Sequence, residues 1–243
     1  MSKVIAVFGA GTGLGKSVAH RFGREGFRVA LVARRRDRLD ALVRGLAEAG
    51  VDAAGFTADL GDPAAVPTVI AAVRERFGRI DVVEYGPIAG AQQFTPASEL
   101  DAAALARLVP LLLLTPVEVV RALLPEWIER GDGAFLLTHG YSAVEPLPAL
   151  SGVGPIMAAA RNYVYSLHGE LADAGIYVGT LAVAAYITGS EIAENASATP
   201  GSGLPLADPD DLADHYWSMY VARDRLEVVH PAIPGRHPAA RPA

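Results

Sequence analysis

Near the start of the chain, Gly9-Ala10-Gly11-Thr12-Gly13-Leu14-Gly15 sets four glycines between a β-branched run and a helix-forming segment. Glycines at this spacing permit a tight turn, a close approach of backbone to an anion, and close helix–strand packing. The helix that follows points free N–H groups and its positive dipole end at the loop. A loop of this kind, after a strand and at the head of a βαβ unit, is predicted to cradle the pyrophosphate of a dinucleotide. The same glycines would also serve a turn kept for packing alone. At the end of the second apolar run stands Ala33-Arg34-Arg35-Arg36, with no acidic residue. An acid there would hold a ribose 2′-OH, whereas a guanidinium pairs with a 2′-phosphate. Arg34 therefore favours NADP(H) over NAD(H), and Arg35 and Arg36 read as a solvated helix start.

Other chemistry-bearing residues are few. His139 and Tyr141 flank Gly140 at the end of a strand-like run, the edge at which ligands sit in open α/β sheets. Each is a candidate proton donor, the histidine because it titrates near neutrality; each is equally suited to packing or capping the turn. Glu84 puts a charge at the end of an apolar strand, where burial would raise its pKa; it reads as a ligand anchor or as a contact for Arg79. Arg161, Tyr165 and His168 share one side of a helix by spacing and read as surface or interface. There is no cysteine, which excludes disulfides, thiolate zinc sites and iron–sulfur clusters. No His/Asp/Glu cluster has metal spacing, and no Gly-x-Ser-x-Gly elbow is present. A net charge of −6 argues against nucleic-acid binding.

The 243 residues, 51% hydrophobic and 20% charged, suffice for one α/β domain with a sizeable core. Strand-like runs at Val4–Phe8, Arg28–Ala33, 51–57, 80–85, 134–138, Ile176–Val183 and 226–229 alternate with helical patterns at 14–25, 37–48, 62–77, 99–108, 116–130, 154–174 and 208–221. This alternation predicts a single-domain, doubly wound parallel sheet of about seven strands over residues 1–230. The leucine block 111–114, between Pro110 and Pro116, is expected to separate two helices. Residues 188–206, polar and rich in small residues, are expected to form a loop, an ordinary surface loop or a lid over a ligand. Residues 231–243, with four prolines, are expected to be irregular. No targeting segment or apolar stretch of spanning length is apparent, so a soluble, cytoplasmic protein is expected.

Several stretches together resemble the short-chain dehydrogenase/reductase superfamily over nearly the whole chain. "VFGAGTGLGKSVA" is similar to that family's cofactor loop, with Gly9, Gly13 and Gly15 in the three glycine places. "ADL" stands where an aspartate holds the adenine amino group, which implies Asp59 with Leu60 beside it. "FGRIDVV" and "RALLPEWIERGDGAFLLTHG" resemble the approach to the fourth strand, then the interface helix and fifth strand. The resemblance implies a Rossmann-type fold, a nicotinamide cofactor on Gly9 to Gly15, and a homodimer or homotetramer built on the two long helices.

The family reduces carbonyls with a Tyr proton donor, a Lys four residues later, an upstream Ser and an Asn on the preceding helix. Alignment on "SGVGPIMAAARNYVYSLHGEL" puts Val153 in the Tyr place, Met157 in the Lys place, Gly140 in the Ser place and Leu112 in the Asn place. A count free of alignment agrees: the only lysines are Lys3 and Lys16, and none of the eight tyrosines has Lys or Arg at the fourth following position. The only asparagines are Asn162 and Asn195. Three readings stay open: an atypical NADP(H)-dependent oxidoreductase, a retired enzyme that binds NADP(H) as sensor or scaffold, and a non-redox cyclase or isomerase in the same pocket. An apolar wall at Val153 and Met157 suits a small hydrophobic ligand.

Overall fold

A computed structural model of the chain describes residues 2–88, 95–196 and 204–233. Seven strands form one parallel sheet in the order β3-β2-β1-β4-β5-β6-β9. They are β1 (Val4–Phe8), β2 (Arg28–Ala33), β3 (Ala53–Thr57), β4 (Val82–Tyr85), β5 (Gly133–Gly140), β6 (Ile176–Val183) and β9 (Glu227–His230). β7 (Tyr186–Ile187) and β8 (Leu206–Ala207) make a separate parallel pair. Helices α1 (Leu14–Arg24), α2 (Arg36–Glu48) and α8 (Pro209–Ala222) cover one face. Helices α3 (Val66–Phe77), α5 (Thr115–Arg130) and α6 (Gly154–Leu171) cover the other. This is the doubly wound fold that the alternation predicts.

Parallel strands sheathed on both sides read as unbroken apolar runs, and all five residues of β1 are buried. Odd and even positions then serve different cores. In β5, Phe135 and Leu137 join Val73, Leu123, Trp127 and Val164 on one face. Ala134 and Leu136 join Val18, Phe22, Leu212 and Met219 on the other. Helix starts follow the capping rules: Asp101 caps α4 (Ala102–Val109) through the amide of Ala104, and Asp208 caps α8 through the amide of Asp210 at 2.9 Å. The chain order reverses between β1 and β4, and the carboxyl ends of those two strands define the switch point where such sheets bind ligands.

The leucine block does not divide the segment into separate helices. Residues Ala102–Arg130 run as one helix of 29 residues. Between α4 and α5 the turn Pro110–Leu114 widens, so that the amide of Thr115 bonds to the carbonyl of Pro110. Two prolines remove two amide donors and crowd the preceding turn, and a π-type turn accommodates both without ending the helix. By length and composition this helix could cross a membrane, with a mean hydropathy of 1.8 over its most apolar window. Here it lies on the sheet, with Val119, Leu123 and Trp127 wholly buried. β5 also runs two residues further than expected, which takes His139 and Gly140 into the strand.

In the expected loop 188–206, the described residues form a turn at 188–190, a short helix, α7 (Glu191–Ala196), and the start of β8. Residues 197–203 and 234–243 of the expected loop and tail lie outside the described residues.

Candidate active site

The glycine loop sits at the switch point. Gly9 has φ +94°, and a Cβ there would lie 2.6 Å from the backbone of Pro87. At Gly15 a Cβ would lie 2.9 Å from Ala10 Cα. Both places therefore demand glycine: the first for its left-handed backbone and the β4 exit beside it, the second to bring α1 onto the loop. A Cβ at Gly11 would meet only the Gly9 carbonyl, at 3.8 Å. The loop so formed is a backbone cradle at the N-terminus of α1.

A cavity of about 410 Å³ opens over this cradle. Gly9, Gly11, Thr12, Gly13, Leu14, Gly15, Arg34, Asp59 and Leu60 all line it. Thus residues more than forty positions apart in sequence meet around one space. Arg34 is exposed at its rim and, among the described residues, makes no ion pair. Asp59 is also exposed and takes a 3.0 Å hydrogen bond from the Gly61 amide, which orients its carboxylate. The residues present fit a dinucleotide: backbone amides for the pyrophosphate, Asp59 and Leu60 for the adenine, and a guanidinium for a 2′-phosphate.

At the carboxyl ends of β4 and β5 the cavity meets a second chamber of about 130 Å³. Gly86, Pro87, Ile88, Thr138, Ile187, Ser190 and Ile192 line both spaces. Of the four positions that the resemblance assigns to the family's catalytic places, three line this chamber and the fourth, Leu112, packs against two of them. Leu112 on the π-type turn, Val153 and Met157 share one apolar cluster, and Met157 Sδ accepts a 3.4 Å hydrogen bond from the Gly140 amide. Val153, Met157 and Gly140 line the chamber. Lys3 lies elsewhere, bonded to Asp132 and Tyr220, and Lys16 is exposed on α1.

The two candidate donors also line the chamber, but both have partners within the protein. Alternation along β5 turns His139 away from Thr138 and towards α6. Its Nδ1 lies 3.1 Å from the Gly140 carbonyl and its Nε2 lies 3.6 Å from Glu227. Glu227 also takes two hydrogen bonds from Arg161, at 2.6 and 2.8 Å, and one from Tyr165 at 3.1 Å. Burial pushes the Glu227 carboxyl up, but Arg161 and His139 together outweigh it and hold it down at about 2. Arg161 and Tyr165 are therefore ligands of a buried carboxylate, and His168 bonds the Val178 carbonyl at 2.7 Å. Tyr141 donates to Glu145 at 3.0 Å.

One polar group at the site, Tyr186, escapes a reading of sequence alone, and so do the partners of Glu84. Tyr186, on β7, lines the chamber, and its buried hydroxyl has no hydrogen-bond partner among the described residues. Its position follows from the path of the chain after β6, for which no periodicity gives a signal. Glu84 is signalled as a charge in an apolar strand, but its surroundings are not. It is 1% exposed and takes a 2.7 Å bond from the Thr138 hydroxyl, which lies 2.7 Å from the Tyr216 hydroxyl. Arg79 pairs with Asp81 instead. Burial raises the Glu84 carboxyl to about 8, with the Thr138 bond opposing. A group so placed stays protonated at neutral pH.

Fold and cavity together define a doubly wound protein with a dinucleotide-shaped site at its switch point. The sequence profile of the short chain dehydrogenase family matches residues 3–200, and the chain belongs to that family of oxidoreductases. It is 30% identical over 199 residues to an oxidoreductase of Sarocladium schorii, covering 82% of this chain and 77% of that one. It is 31% identical over 184 residues to sulfoacetaldehyde reductase 2 of Chromohalobacter salexigens, covering 75% and 72%. Among solved structures, a short-chain dehydrogenase from Sphingobium yanoikuyae in complex with NADPH superposes with a TM-score of 0.80 at 28% identity, covering 94% and 88%.

Proposed function

We propose that this protein is an NADP(H)-dependent oxidoreductase that works on a small, hydrophobic substrate without the family's Tyr–Lys proton relay. The observation that carries the reading is the joining of the two spaces. The glycine-loop cavity and the apolar chamber share the carboxyl ends of β4 and β5, so a dinucleotide on the loop would present its reactive end to the chamber. A bound nicotinamide supplies or takes up the hydride. The NADPH complex of the Sphingobium relative and the exposed guanidinium of Arg34 both support the phosphorylated cofactor.

The chain's own residues shape the rest. Val153, Met157 and Leu150 make the chamber wall apolar and exclude water from a hydrophobic ligand. Tyr186 is the phenol that can bond a ligand without first breaking a bond, because its hydroxyl has no partner among the described residues. It takes the proton-donating place ahead of Tyr141, which donates to Glu145, and of His139, whose Nε2 makes no hydrogen bond among the described residues but faces the Glu227 carboxylate at 3.6 Å. No lysine stands four residues after Tyr186, and the full loss of general-acid catalysis would cost about 10² to 10⁴ in rate, so substrates that need little protonation, such as an iminium or a conjugated enone, suit this site best. The test is a titration with NADPH followed by a screen of aldehydes, ketones, enones and imines for NADPH consumption, with Tyr186→Phe beside the wild type. Binding without consumption of any substrate would favour a retired, cofactor-binding role. A reaction that Tyr186→Phe leaves unchanged would remove Tyr186 from it.

A further inference from the structure

The corner of the cavity that holds Arg34 also holds an acid, and that acid comes from the far end of the chain. Glu191 opens α7 and lines the cavity with Arg34, Arg35 and Arg38. Its Oε1 lies 2.5 Å from Arg35 Nη1, and the same oxygen pairs with Arg38. Hydrogen bonding from Arg35 leads the effects that hold its carboxyl below the usual carboxylate range. The segment before it is seated on the glycine loop. The Thr12 hydroxyl donates to the Gly189 carbonyl at 2.7 Å, and a Cβ at Gly13 would lie 3.2 Å from Ser190 Cβ. Glu191 is thus brought to the corner by contacts on both sides of the cavity.

We infer that Glu191 is a cofactor-specificity residue, a built-in anion that competes with a 2′-phosphate for Arg35 and Arg38. The inference rests on the nucleotide-binding reading given above. A carboxylate and a phosphate ask the same thing of a guanidinium, namely paired, charge-assisted N–H donors. NADPH must take these donors from Glu191, and its phosphate must then sit near a like charge. NADH brings no such phosphate, and its 2′-OH can donate to the carboxylate as it does to the strand-end acid of NAD-preferring relatives of this fold. Of the three arginines, Arg34 alone makes no ion pair among the described residues, so the corner favours NADPH by less than three arginines would suggest. Glu191 narrows the gap between the two cofactors.

The experiment measures dissociation constants of NADPH and NADH by fluorescence, and of 2′,5′-ADP and 5′-AMP by calorimetry, for wild type, Glu191→Gln and Glu191→Ala. The second pair isolates the corner, because it lacks the nicotinamide and differs only by the 2′-phosphate. Partly exposed ion pairs of this kind are worth little each, so both substitutions should tighten NADPH and 2′,5′-ADP by about 3- to 30-fold. NADH and 5′-AMP should stay unchanged or weaken slightly. Wild-type binding of NADPH with no tightening in either variant would overturn the role of Glu191 and leave the proposed function standing. No binding of NADPH by the wild type would overturn both.

Discussion

Glu84 offers a direct measure of how dry the sheet is behind Thr138, which lines both spaces. Its carboxyl is 1% exposed, its hydrogen bond comes from the neutral Thr138 hydroxyl, and among the described residues it has no ion pair. Burial raises it from an ordinary 4.5 to about 8. Between these values the unfolded chain has lost the proton and the folded chain keeps it, so the native state binds one more proton. Stability then falls as pH rises, by about 1.36 kcal/mol per pH unit, and the whole interval is worth roughly 5 kcal/mol. Below the unfolded value the contribution is fully present; above about 8 it is gone. Glu84→Gln keeps the shape and the acceptor for Thr138 but cannot ionise. Urea unfolding of both proteins at one protein concentration, at pH 5.5 and pH 7.5, isolates this group because the other titrations cancel in the difference. Relative to the variant, the wild type should lose roughly 3 kcal/mol over those two units. Parallel stability curves would refute the reasoning, because they would mean that Glu84 ionises in the folded protein as readily as in water.

Three further outcomes are expected. Arg34→Ala should weaken NADPH by about 10- to 100-fold, the worth of one hydrogen bond to a charged group, and leave NADH little changed; equal weakening of both in a fluorescence titration would place Arg34 away from the 2′-phosphate. Val153→Tyr with Met157→Lys should bind NADPH more tightly by about 10-fold through a restored charged hydrogen bond, and should gain slow carbonyl reduction; unchanged affinity in the folded double variant would count against this placement of the nicotinamide end. Light scattering at micromolar concentration should show a homodimer or homotetramer, because Leu114 and Ile128 stand 44% and 52% exposed on the long apolar helix and burial between copies would remove them from water; a monomer would contradict it.

The sheet was legible because its signal is local. Val4–Phe8, Arg28–Ala33 and Ile176–Val183 are apolar runs between turn residues, and each is a strand with the bounds its residues imply. The long helix was not, because Pro110 and Pro116 read as two stops. A single widened turn takes up both rings while Leu112 keeps its place in the apolar cluster. A local rule about proline was overruled by packing on the sheet, where α5 buries Val119, Leu123 and Trp127.

At the site the division is similar. The glycine loop and Arg34 are legible because each is a short motif placed by the strand before it. Partnership is not, because it joins distant residues: Glu191 reaches Arg35 across 156 positions, and Arg161 reaches Glu227 across 66. Both cases turn on charge. Composition shows 19 arginines beside two lysines but not which arginines are committed to carboxylates. Arg161, on a helix face that reads as surface, serves a carboxylate that His139 also faces, so one ion pair explains why a histidine at a strand end can be fixed in place. Among the described residues Arg34 keeps its charge unpaired at the cavity rim, while Glu191 is committed to Arg35 and Arg38. A residue type marks where an anion could bind; the set of acids already folded against it decides whether an incoming phosphate finds that charge available.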